Sequence, residues 1–156
     1  MAWSNSKIFR AFVADVLDNT TAIDLGSDVP KAALYNNSGT PSQDVTAANS
    51  AFNVDQWVTG NQVTDATNWV SGGRALSSTS LSSATAGTVF YDAADTAGGG
   101  TVTISGAFGC LVYDDTITTP VADQGLCFNY FGGSQSVTAG TFTIVWHANG
   151  IFRIAL

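Results

Sequence analysis

Between Lys7 and Asp18 the apolar residues Ile8, Phe9, Phe12, Val13, Val16 and Leu17 recur at helical spacing and trace one stripe. The pattern predicts an amphipathic helix over residues 7–18. Ser4 or Ser6 is placed to cap its start, and Asn19-Thr20-Thr21 ends it. Lys7 and Arg10 stand near the positive end of the helix dipole, and Asp15 and Asp18 near the negative end. Docking of the apolar stripe, not intrinsic propensity, therefore has to hold this helix.

From Pro30 onward the period changes to two. KAALYNN at 31–37 reads as a strand closed by the turn cluster Ser38-Gly39-Thr40-Pro41. Residues 44–53 read as a short helix starting at Asp44. The polar stretch 59–87 reads as short strands joined by loops. TVFYDA at 88–93 is a strand, and in 101–115 Val102, Ile104, Phe108, Cys110 and Val112 share one parity. Gly106 and Gly109 within that run predict a bulge or a close backbone approach. Further β segments follow at 126–133 and 141–156.

Asn149-Gly150 is the strongest hairpin signal in the chain, because both residues tolerate the positive φ of a type I′ turn. A two-residue loop would set Trp146 opposite Arg153, His147 opposite Phe152 and Val145 opposite Ile154. One face would then carry Phe142, Ile144, Trp146, Ile151 and Arg153, and the other Val145, His147, Phe152, Ile154 and Leu156. With both faces largely apolar, such a hairpin has to lie between two layers or under a neighbouring subunit. Trp146, Ile151, Phe152, Arg153 and Ile154 are thereby the candidate interface residues.

Composition narrows the class. The chain has 156 residues, the size of a single domain spanning 1–156, with the helix at 7–18 and a β-rich body from 30 to 156. Charged residues make up 11% and hydrophobic residues 45%, which excludes a disordered tail and disfavours a coiled coil. All twelve acids are Asp, a turn residue, so they are expected in loops. Five scattered cations and a net charge of −7 argue against nucleic-acid binding. The amino terminus does not read as a signal peptide, and no window approaches the roughly 18 apolar residues of a membrane helix. Assembly in a cytosol and no membrane partner are expected. So sparse a surface charge points to an exterior covered by other subunits.

No catalytic set stands out. His147 is the only histidine, and its predicted position opposite Phe152 brings no acid or nucleophile near, so it reads as structural. Gly133-Ser134-Gln135-Ser136 lacks the strand-to-helix setting of a nucleophile elbow. Cys110 and Cys127 cannot make a zinc site with one distant histidine. They would lie opposite each other if 108–113 pairs with 124–129, and they read as buried thiols rather than a disulfide. Asp92, Asp95, Asp114 and Asp115 fall at strand ends and read as solvated turn acids rather than Ca²⁺ ligands. Gly98-Gly99-Gly100 precedes no helix, which argues against a phosphate cradle. Trp3, Trp57, Trp69 and Trp146 show no periodicity that favours a sugar platform over core packing. No enzyme activity, metal or cofactor is expected.

Three blocks carry a resemblance: LVYDDT at 111–116, NYFGGSQSVTAGTFTI at 129–144 and WHANGIFRI at 146–154. With the helix and the segment PKAALYNNSGTPSQDVTAANSAFNVDQW, they make nearly the whole chain resemble small virion proteins of tailed, actinobacteriophage-type phages. The resemblance implies a structural component without catalytic residues. The first expectation is a head decoration or minor capsid protein that cements the shell from outside by binding the major capsid protein. Self-association is expected with it, a trimer first. A minor tail protein is the runner-up. A third reading, a carbohydrate-binding β-sandwich for host attachment, would need Trp57 or Trp69 exposed in a groove. The expected fold is mainly β (α+β), with the N-terminal helix packed on an antiparallel sandwich or flattened barrel.

Overall fold

Two long antiparallel strands, Val102–Tyr113 and Gly125–Gly140, organise the computed structural model, which describes residues 3–83 and 87–156. In chain order the elements are β1 (Lys7–Ile8), α1 (Arg10–Asp18), β2 (Lys31–Tyr35), α2 (Ala47–Ser50), β3 (Arg74–Ala75) and β4 (Ser80–Ser82). Then follow β5 (Thr88–Asp92), β6 (Thr96–Ala97), β7 (Val102–Tyr113), β8 (Gly125–Gly140), β9 (Thr143–Ile144) and β10 (Phe152–Ala155). The protein is mainly β with two short α-helices. A five-stranded sheet runs β1-β8-β7-β2-β3, a three-stranded sheet β10-β5-β4 and a two-stranded one β6-β9, every pair antiparallel.

The first helix is shorter than its stripe. Lys7 and Ile8 pair with Phe128 and Cys127 of β8, and the Phe9 N–H donates to the Leu126 carbonyl at 3.0 Å. Extended Phe9 thus becomes the N-cap, and the helix begins only at Arg10. Neither Ser4 nor Ser6 caps it; the Ser6 hydroxyl accepts instead from the Tyr130 N–H. Phe9 and Phe12 are buried, but Val16 and Leu17 are 46% and 80% exposed. The charges opposed to the dipole are answered across the fold: Arg10 pairs with Asp44 at 2.8 Å, and Asp15 accepts from Gln124 Nε2 at 2.7 Å. Asn19 closes the helix in the left-handed conformation. With Asp44 so engaged, the helix expected over 44–53 is only Ala47–Ser50, capped by Thr46, whose hydroxyl accepts from the Asn49 N–H.

β2 lies between β7 and β3, and Ala32, Ala33, Leu34 and Tyr35 are all buried, so the period-two alternation expected over 31–37 gives way to a shorter strand covered on both faces. In β7, Gly106 takes φ +72° inside a register shift, and the buried parity moves from Val102 and Ile104 to Ala107. At Gly109 a Cβ would stand 2.4 Å from both the Asn129 carbonyl oxygen and the Trp3 ring. The bulge and the close approach are thus two different glycines. Trp3, Phe9, Tyr35, Trp57 and Phe128 make an aromatic centre, with Trp3 edge-on to Trp57 at 5.8 Å and to Phe128 at 6.0 Å. Trp57 sits in a short 3₁₀ turn, Asp55–Trp57, and its carbonyl accepts from the Tyr35 hydroxyl. The stretch 59–87 supplies β3, β4 and an isolated bridge between Asp65 and Trp69; its residues 84–86 lie outside the described residues.

The predicted C-terminal hairpin does not form. β9 pairs with β6 and β10 with β5, so Phe152 faces Tyr91 and Arg153 faces Phe90, not His147 and Trp146. A turn is present, with the Gly150 N–H donating to the His147 carbonyl at 2.7 Å. However, Ala148 and Asn149 occupy its central positions with negative φ, and only Gly150 is positive at +86°. The turn is therefore shifted by one residue from the Asn-Gly register a type I′ hairpin needs. Beyond it the Ile151 N–H donates to the Tyr91 carbonyl, and the chain leaves on β5.

Candidate functional site

A cleft of about 500 Å³ opens between the outer half of β8 and the segment 142–151. Tyr130, Phe131 and Gln135 line one side, and Phe142, Ile144, Val145 and Trp146 the other. Trp146 is half-buried and held at both its nitrogens: the backbone N–H donates to Asp95 Oδ1 at 3.0 Å and Nε1 to Thr96 Oγ1 at 3.1 Å. Val145 stands 72% exposed beside it. A second cleft of about 400 Å³, lined by Lys7, Ile8, Gln43, Cys127, Phe152 and Arg153 among others, meets the first at Ser6, Asn129 and Ile151.

The five interface candidates are divided by this geometry. Ile151 and Phe152 are turned into the core, 5% and 8% exposed, with Phe152 against Phe12 and Tyr91 at 5.7 and 5.6 Å. They serve the protein's own packing. Trp146 and Ile154 are half-buried, and Arg153 is exposed. Of the second face expected for the C-terminal segment, only Phe152 is covered, by α1 and β5, while Val145, His147 and Leu156 stay exposed and Ile154 is half-buried.

The candidate chemical groups stay apart. His147 is exposed on the turn, where its Nδ1 accepts from the Asn149 N–H. Cys110 and Cys127 are free and buried, but Cys110 faces Asn129 and Cys127 faces Val112, so the two are out of register with each other. Burial pushes both thiols up, Cys127 to about 12. Among the described residues no group of three or more His, Cys, Asp or Glu is arranged to hold a metal. Gly98-Gly99-Gly100 packs against Asn68 and the Arg74 guanidinium.

The four strand-end acids are not all solvated. Asp95 is exposed and Asp92 half-buried, and Asp115 pairs with Lys31. Asp114 is fully buried, with Oδ1 accepting from the Thr116 N–H and hydroxyl at 3.0 and 2.6 Å. Burial first, and then the facing carboxyl of Asp28, hold Asp114 above the usual carboxylate range. Trp57 and Trp69 are 1% and 0% exposed, which removes both from any sugar-binding groove.

Lys7, Asn129 and Phe131 belong to the clefts, and periodicity alone does not single them out. A sequence signal does exist: from Gln124 to Phe152 there is no Asp, Glu, Lys or Arg. That uncharged run supplies most of the lining. Among the described residues no helix is long and apolar enough to cross a membrane. No family model, curated protein or solved structure gives a significant match to this chain.

Proposed function

We propose that this chain is a structural, non-enzymatic component of a tailed-phage particle, a decoration protein that binds the major capsid protein on the head exterior. The observation that carries the reading is where two of the resemblance blocks meet. Residues 129–144 form the outer half of β8 and β9, residues 146–154 form the turn and the start of β10, and together they line the joined clefts. A partly apolar groove lined by no acidic residue, with exposed Val145 and half-buried Trp146, has the character of a protein-binding surface. In the same reading the sheets face each other as a sandwich or flattened barrel with α1 laid over one side. Side chains of β5, β7, β8 and β10 joining one buried cluster support this. Self-association, a trimer first, would complete the coat.

The test is co-sedimentation of the purified protein with undecorated phage heads, followed by electron microscopy of the particle. Saturable binding to the head surface is expected. A protein that stays a monomer in native mass spectrometry and has no affinity for heads overturns the proposal.

A further inference from the structure

The joined clefts form one groove whose charge is at odds with the rest of the molecule. The chain carries twelve Asp against five Lys or Arg, yet no Asp lines either cleft, while Lys7 and Arg153 both line the second. Arg10 and Lys31 are engaged by Asp44 and Asp115. Lys7 and Arg153 are exposed and have no ion-pair partner among the described residues. The other end of the groove is apolar, with Val145 next to Trp146 and Phe131. Between the two ends runs the outer side of β8, which pairs with β1 at Cys127 and Phe128. Past them the Tyr130 N–H donates to the Ser6 hydroxyl and the Phe131 carbonyl accepts from Gln135 Nε2, leaving a long narrow groove with its backbone already engaged.

We propose that this groove docks an extended acidic segment of the partner protein, with a carboxylate between Lys7 and Arg153 and an apolar side chain against Val145 and Trp146. The proposal rests on the protein-binding reading above and adds the chemistry of the partner. Charge complementarity selects the occupant. An Asp- or Glu-bearing segment meets two cations that have no ion-pair partner among the described residues, whereas a basic segment meets the same two as repulsion. A nucleic-acid strand would find only these two cations in the groove of a protein whose net charge is −7.

Fluorescence anisotropy with two dye-labelled synthetic peptides tests it. Both alternate Val and Thr around a central Leu; one ends in Asp-Asp and the other in Lys-Lys. The acidic peptide is expected to bind, more weakly as salt is raised, and the basic one not to bind. Lys7→Gln combined with Arg153→Gln should weaken binding about tenfold and remove the salt dependence. Val145→Ser should weaken it with the salt dependence intact. All three positions are exposed, and melting curves verify that the variants fold. Equal binding of the two peptides, undiminished binding by the double variant, or tighter binding of a labelled single-stranded oligonucleotide overturns the proposal. So does a wild-type dimer that the double variant abolishes, since a second copy would then occupy the groove. The same variants are sedimented with heads. If the double variant sediments as well as wild type, the groove loses its role and the head reading stands. If wild type does not sediment but the acidic peptide binds, the groove stands and the head reading falls.

Discussion

The indole Nε1 of Trp146 donates to the hydroxyl of Thr96 at 3.1 Å, fixing a groove residue to the strand that pairs with β9. Thr96 is itself buried, so the bond has little water to replace it. Thr96→Val keeps the shape and removes the acceptor. It is expected to cost about 1–2 kcal/mol in urea denaturation and to broaden Trp146 fluorescence. Trp146→Phe, which removes donor and demand together, should restore part of the loss when combined with it.

Gly109 lies at a close backbone approach within the central sheet. Gly109→Ala puts a methyl group 2.4 Å from the Asn129 carbonyl oxygen and from the Trp3 ring. Strand and indole cannot both remain in place, and a loss of about 3 kcal/mol or more is expected. The midpoint of chemical denaturation measures it, and Gly60→Ala, where nothing stands within 4 Å of the added carbon, is the control.

Stability should rise as pH falls from neutrality. Asp114 has a folded pKa held above its ordinary value of 3.8, first by burial. An acid raised in this way stabilises the fold when protonated, and that contribution is lost as pH rises through the folded pKa. Asp123 shifts in the same direction. Melting temperature is therefore expected to climb from pH 7 toward the ordinary carboxylate range. Asp114→Asn should raise it at pH 7 and flatten the profile. Asp65 works the other way, held low by the N–H groups of Asn68, Thr103 and Thr67. Its contribution is present above 3.8 and fails only in more acid solution.

The thiols should be silent in the native state. Cys110 and Cys127 are fully buried and their pKa values are raised, so the thiolate that reacts is scarce as well as shielded. Thiol reagents are expected to label neither residue under native conditions and both in denaturant, with labelling following the unfolding transition. Rapid labelling of folded protein would contradict the burial.

The sequence pattern was readable where one strong local preference agreed with its surroundings. The β2 run, the β5 run and the two β7 glycines are cases of this. The helix stripe was half legible: Ile8 and Phe9 are apolar for the same core, but they reach it from an extended strand, because β8 offers them backbone partners. Periodicity cannot separate the two, and Leu17, which continues the stripe, ends in solvent. The C-terminal hairpin failed for a related reason. An Asn-Gly pair states that the chain can turn tightly, not that the flanks pair, and β5 and β6 compete for those flanks through contacts distant in sequence. The candidate groove was half visible for the same reason. Arg153 and Trp146 were flagged from the hairpin, whereas Lys7 joins them only because β1 adds to β8.

The attachment of β1 to β8 also sets an order in time. Ser6 and Tyr130 are 124 positions apart and share a hydrogen bond, and Trp3 packs on Phe128 and over Gly109. Trp3 and Phe9 can meet Trp57 early in synthesis, but β8, on which both also pack, comes much later in the chain. Closure of the central sheet is then a late event of high contact order. The pairing of β1 therefore waits for β8, and these two strands, far apart in sequence, are joined last.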